Sequence, residues 1–148
     1  MRHFPVLLLI AALGGCATHR ASPPQPWADA SDAVRAANVE PARAIAGTFV
    51  MTVQALGQDN GRIFLNSERD YRNQNCLTVV LAPAIAEQVA QQLGVEVPAL
   101  LHRRLSVRGE ARRVRIQFRD GQGRESSKYY YQTHLQVEDP SQIAFASP

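Results

Sequence analysis

The period of hydrophobicity changes twice along this chain, and the order of those changes constrains its fold more than any other feature. Thr48 to Leu56 (TFVMTVQAL) alternates. Phe49, Met51, Val53 and Ala55 share one face and Thr48, Thr52 and Gln54 the other, a period of two that marks a half-buried strand. Asp59-Asn60-Gly61 follows, and Asn-Gly between such runs predicts a type I′ hairpin, whose two central residues both need positive φ. Arg62–Asn66 is the returning strand. Beyond a polar loop from Ser67 to Asn75, Leu77–Leu81 is a third strand. The period then becomes helical. Pro83 suits a first helical position, Ile85, Val89 and Leu93 form one apolar stripe, and Gly94 lies just past the end, where helices stop. Alternation returns in Leu105, Val107, Gly109 and Ala111. It continues in Val114, Ile116 and Phe118 with the opposite parity, which predicts a register slip within Gly109–Arg113. A turn at Asp120–Gly123 leads to a last strand from about Lys128 to Val137. There Tyr129, Tyr131, Thr133, Leu135 and Val137 are expected to point one way, and Tyr130, Gln132, His134 and Gln136 the other.

The order of three strands, one helix and two strands is that of a five-stranded OB-fold barrel, whose helix sits between strands three and four. A mainly β fold of this kind is the expected class, with a bend in a long strand helping the barrel close.

The first residues do not belong to that fold. Arg2 and His3 give a short positive start, and Phe4–Leu13 is an apolar run of ten residues. A spanning helix needs about 20, whereas ten fits the core of a signal peptide. Leu13-Gly14-Gly15-Cys16 follows: an aliphatic residue, two tiny ones, then a cysteine. This motif resembles the lipobox of bacterial lipoproteins. The resemblance implies cleavage before Cys16 and acylation of its thiol and new amino terminus, and several acyl chains anchor stably where one binds marginally. Ala17 in place of aspartate resembles the outer-membrane-sorted type, facing the periplasm. The expected divisions are a signal peptide at 1–15, a lipidated N-terminus and flexible tether at 16–38, and a folded domain at 39–148. Pro, Ala and Ser dominate Ala17–Asp32, as in a spacer. A short helix from Ser31 to Asn38, capped by Ser31, is expected next to it.

Gly47–Phe145 looks like a group of small exported bacterial OB-fold proteins related to nucleic-acid-binding barrels. The matching pieces are Gly47–Val50, Ile63–Arg72, Leu77–Leu81, Leu105–Gly109 and Asp139–Ile143. That group often has Gly-Lys opening the fourth strand, where this chain has His102-Arg103. The resemblance implies a fold and supplies no catalytic signature.

Formal charge is +3, or +2 without Arg2, which is too weak a bias to imply nucleic acid. Lys128 is the sole lysine among sixteen cations. Cys76 is the only cysteine left after acylation, so no disulfide within the chain is expected; it reads as a small buried residue opening a strand. Arg104, Arg108, Arg112, Arg113, Arg115 and Arg119 are expected to project outward from one strand, beside Tyr130 and His134 from the next. A turn centred on Gly121 and Gln122 sets Arg113 opposite Tyr130, a pairing that favours cation–π stacking. Basic grooves with stacking aromatics hold single strands on OB-folds, and the same patch suits anionic lipid or acidic polymers. The plainer alternative is an arginine-rich solvated face. Tyr71 and Arg72, in Glu68–Arg72, are a second candidate, either as a ligand-reading loop or as a turn stitched by Asp70. No metal site is expected, because His3, His19, His102 and His134 lack partners at ligand spacing, and no cofactor is implied.

These features lead to a lipid-anchored, non-catalytic binding or interaction module of the cell envelope, probed through Arg108, Arg112, Arg113, Arg115, Tyr130, Tyr71 and Arg72. Its partners are expected to be the membrane and an anionic polymer, lipid or protein. The alternatives are a nucleic-acid-binding barrel or thermonuclease-like nuclease, for which only the fold speaks, and a purely structural envelope lipoprotein.

Overall fold

The computed structural model describes residues 25–147. The signal peptide, Cys16 and the tether up to residue 24 lie outside the described residues. The chain forms β1 (Gln25–Asp29), α1 (Ala30–Ala37), β2 (Ile45–Thr52), β3 (Ala55–Asp59), β4 (Arg62–Asn66), β5 (Leu77–Leu81) and α2 (Pro83–Leu93). A 3-10 turn at Val97–Leu100 leads to β6 (Arg104–Arg119) and β7 (Glu125–Val137). A second turn at Pro140–Gln142 precedes β8 (Ile143–Phe145). The fold is mainly β, a mixed sheet laid out as the open path β1-β2-β6-β7-β5-β4-β3, with β8 pairing β6. Within it β1–β2 and β5–β7 are parallel and the other pairs antiparallel.

The alternating run expected as one strand from Thr48 is divided between β2 and β3. Its apolar face is as expected: Phe49, Met51 and Val53 are buried. The pairing partner changes at Val53 and Gln54. Val53 N–H donates to the Arg103 carbonyl at 3.0 Å, and Gln54 N–H donates to the Asn66 carbonyl at 2.8 Å. The hairpin at Asn60-Gly61 has φ of +48° and +77°, the left-handed pair that its sequence predicts. α2 starts at Pro83, buries Ala86 and Val89, and ends on Gly94 in the left-handed region.

The predicted slip in Gly109–Arg113 does not occur. β6 keeps unbroken register with β2 from Arg104 to Ala111 and with β7 from Ala111 to Gln117; the one irregularity lies between Gln117 and Arg119. The apolar residues change face while the strand runs straight. Leu105, Val107 and Ala111 face the core, whereas Val114, Ile116 and Phe118 lie on the opposite side, where a second, smaller apolar surface exists. Gly109 is needed for close approach, because a Cβ there would meet Leu135 Cδ2 at 2.9 Å. His102 takes φ +64°, a conformation that glycine enters at least cost.

The N-terminal boundary differs from the expected 39. α1 buries Ala30, Ala33, Val34 and Ala37 against the core, and its cap is Asp29, whose side chain accepts from Ser31 N–H at 3.0 Å. Asn38 then clamps the helix end, donating to the Val34 carbonyl at 2.7 Å and to Thr133 Oγ1 at 3.0 Å. The buried face of α1 is built mainly from alanine, which hydropathy registers weakly.

Candidate functional site

A groove of about 530 Å³ crosses the face of the sheet remote from the main core. Its floor comes from residues of β4, β5 and β7 that point away from that core. Asn66 and Thr78 are buried there and paired, Thr78 Oγ1 lying 2.9 Å from Asn66 Oδ1. Its walls are Phe64, Tyr71 and Tyr130, with Val114 and Ile116 from β6. Asp59 and Arg62, flanking the tight β3–β4 hairpin, stand at one lip. Those two are the only charged residues that line it among the described residues, so the lining carries no net charge.

A hydrogen-bonded relay sets the orientation of the polar wall. Gln132 Nε2 donates to the Tyr71 carbonyl at 2.8 Å. A carbonyl can only accept, so the amide nitrogen must face it and Oε1 must face the other way. His134 Nε2 lies 2.7 Å from that Oε1, so it carries the proton and Nδ1 is left as an acceptor. Burial, with the nearby Arg62 charge, lowers the His134 pKa to about 4. The ring is therefore neutral at pH 7. Phe64 lies against it at 6.5 Å between ring centroids. Burial, then the neighbouring Tyr71, pushes the Tyr130 hydroxyl above its ordinary pKa, so it stays a protonated donor.

Tyr71 and Tyr130, the aromatic candidates from the sequence, meet in this groove. Arg72 does not line the groove, although its guanidinium lies 5.8 Å from the Tyr71 ring centroid. Its guanidinium is held by Asp70 at 3.0 Å, and Asp70 also accepts from Arg72 N–H at 3.0 Å. These bonds hold the Asp70 carboxyl below its usual range and stitch the turn that carries Tyr71. Cys76 is fully buried, with its thiol 3.7 Å from Thr78 Oγ1 beneath the groove floor.

The expected single arginine face is divided in two. Regular alternation puts Arg104, Arg108 and Arg112 on one side of β6 and Arg113 and Arg115 on the other. Arg113 stands opposite Thr133, and Ile116 takes the place opposite Tyr130. The turn lies close to the expected place, and the irregularity between Gln117 and Arg119, with two extra residues on β7, carries the ladder past the predicted pairing. Stacking still occurs with other partners: Arg113 lies 4.6 Å from the Tyr131 ring centroid and Arg115 lies 4.3 Å from that of Tyr129. Arg112 is paired with Glu110 and Arg113 with Glu40. Arg108 has an exposed side chain, while its carbonyl accepts from Gln142 Nε2 at 2.8 Å.

Phe64, Gln132 and Asn66 were not singled out from the sequence, whereas His134 was expected beside the arginine patch. Two signals pointed to them. Arg62–Asn66 has apolar residues on both faces, and the apolar parity of β6 reverses after Ala111; both mark a second surface that water does not fully own. Among the described residues, no three His, Cys, Asp or Glu side chains converge as a metal site, and no helix is long and apolar enough to cross a membrane. No protein-family profile matches the chain, and no curated protein is found to resemble it.

Proposed function

We propose that the protein is a lipid-anchored, non-catalytic binding module of the cell envelope, acylated at Cys16 and held at the outer membrane, whose groove takes an uncharged polyhydroxylated ligand such as a glycan strand. The fold proposed for it is an OB-type barrel. The handover at Val53 and Gln54 supports this, because β2 and β3 are consecutive stretches of one bent strand and stand near opposite ends of the sheet path. Joined there, β2/β3, β4, β5, β6 and β7 have the barrel's strand order, with α2 between strands three and four. The face centred on strands two and three, flanked by the first and last hairpins, is where such barrels bind oligomers.

The observation that carries the ligand class is the electroneutral lining. Single-stranded nucleic acid demands cations in excess, since phosphate neutralisation supplies most of the affinity. Here one Arg faces one Asp at the groove, and Arg72 is occupied by Asp70. What the groove does offer is aromatic faces for ring C–H surfaces and oriented amide, imidazole and phenol groups for hydroxyls, an apolar pocket with a few placed polar groups. Calorimetric titration with uncharged chitin oligomers and, separately, with oligodeoxythymidine tests this. Saccharide binding that weakens at least tenfold in Tyr71→Ala and Tyr130→Ala is the expected result. Binding of the oligonucleotide alone would replace the ligand class, and indifference of both ligands to both variants would remove the groove from the account.

A further inference from the structure

Beyond Ala111 and Thr133 the β6–β7 hairpin leaves the rest of the sheet: β2 pairs β6 only up to Ala111, and β5 pairs β7 only from Thr133. The remainder is a two-stranded arm with its tip at Gly121. Two strands alone are marginal in water and are stabilised by packing against something. The arm's side chains say what that is. It carries six cations between Arg112 and Lys128, of which Arg112, Arg113, Arg119 and Arg124 are paired with Glu110, Glu40, Glu125 and Asp120. Phe118, Tyr129 and Tyr131 on it are 42%, 48% and 43% exposed. Arg115 is stacked on Tyr129 and bonded to Gln117 at 2.9 Å. Neither Arg115 nor Lys128 forms an ion pair among the described residues. Tyrosines and arginines mixed in this way suit the headgroup zone of a bilayer, where amphipathic rings settle and cations meet anionic lipid.

The place where the chain enters the fold selects the same partner. Gln25 pairs with Gly47, and Gly47 with Gly109, so the chain enters the sheet at the level where the arm departs. β1 runs parallel to β2, away from the arm, so Gln25 is its residue nearest the arm. Nine peptide steps separate Cys16 from Gln25, a reach of at most about 30 Å. The ten residues from Ala111 to Gly121 span about 30 Å. An anchor on Cys16 therefore cannot hold the fold farther from the bilayer than the arm can reach.

We propose that the β6–β7 arm docks on the anionic headgroup surface of the bilayer that holds the lipid anchor, through Arg115, Lys128, Tyr129 and Tyr131. The proposal rests on acylation of Cys16, and its test separates the two. The mature chain carrying Cys16→Ser, which has no acyl group, is sedimented at low salt with vesicles of one part phosphatidylglycerol to two parts phosphatidylcholine, and with vesicles of phosphatidylcholine alone. Binding to the anionic vesicles only is expected. Arg115→Ser and Lys128→Gln should each weaken it roughly fivefold, Arg115→Lys should restore it, and circular dichroism should be unchanged in Lys128→Gln, whose side chain is exposed. Equal binding to both vesicles, binding to neither, or variants indistinguishable from the parent would overturn the proposal. Intact mass of the unsubstituted chain from membranes reads the anchor independently. Absence of acyl mass sinks the anchor reading alone, and an acylated chain without vesicle selectivity sinks the arm alone.

Discussion

His134 shows how one side chain can serve both groove and stability. Its pKa of about 4 lies below the ordinary 6.5, because burial and then the Arg62 charge disfavour the imidazolium. The unfolded chain therefore takes up the proton first. The stability this group contributes is complete above pH 6.5 and is lost as pH falls toward 4. The expected loss is about 2–3 kcal/mol, read as the difference between parent and His134→Gln in urea midpoints across that range. A flat difference between the two proteins would place the titration elsewhere. His102 makes the opposite case. Its φ of +64° strains a residue bearing a Cβ, so His102→Gly should raise stability by about 0.5–1 kcal/mol, measured by chemical denaturation. At Gly109 the space itself is the constraint. Gly109→Ala presses a methyl onto Leu135, and a loss of about 1–3 kcal/mol is expected from overpacking.

At the scale of elements, α1 and the arm are the two pieces whose roles depend on what they pack against. α1 is short for an independent helix and persists through its docked face, with Val34 only 3% exposed and Asn38 bridging to β7. Val34→Asp buries a carboxylate without a partner and should cost 3 kcal/mol or more, roughly, with protease cutting first near Asn38. If instead Val34→Asp melted like the parent, α1 would be dispensable to the core. The arm is the contrary case: its backbone pairs are made, yet no layer covers either face fully. Amide exchange should separate the two halves of β6, with Leu105–Ala111 protected to the global stability and Val114–Arg119 exchanging faster through local opening. The groove sits between these regimes, its floor on the stable strands and its Tyr130 wall at the root of the arm.

Across the whole molecule, the core and the groove occupy opposite faces of the same strands. Leu65, Leu77, Val79 and Leu135 are fully buried on one side, while Phe64, Thr78 and His134 line the other. Period-two geometry alone divides them. Several surface charges are spent in local pairs: Arg112 with Glu110, Arg113 with Glu40, Arg72 with Asp70 and Arg124 with Asp120. Exposed pairs of this kind stabilise little, but they cancel the field that the arginine count suggests. Within the arm the cations outside such pairs are Arg115 and Lys128, near the end of the sheet where the chain enters the fold.

Much of this was legible along the chain because it is local. Alternation located β2 to β7, Pro83 and Gly94 bracketed α2, and Asn60-Gly61 dictated its hairpin through backbone sterics. Tyr71 and Tyr130 stood out by type. The remainder depended on contacts that no local window contains. Which residues of β6 and β7 stand opposite each other was decided by the whole ladder and not by the turn, which moved Arg113 from Tyr130 to Thr133. The parity change after Ala111 marks a second apolar surface, and only the neighbouring strands distinguish that from a slipped register. The Gln132–His134 relay exists because Tyr71, sixty-one residues away from Gln132, returns its carbonyl to it. Alternation tells which side of a strand a residue is on; what lies beyond that side is set by long-range packing.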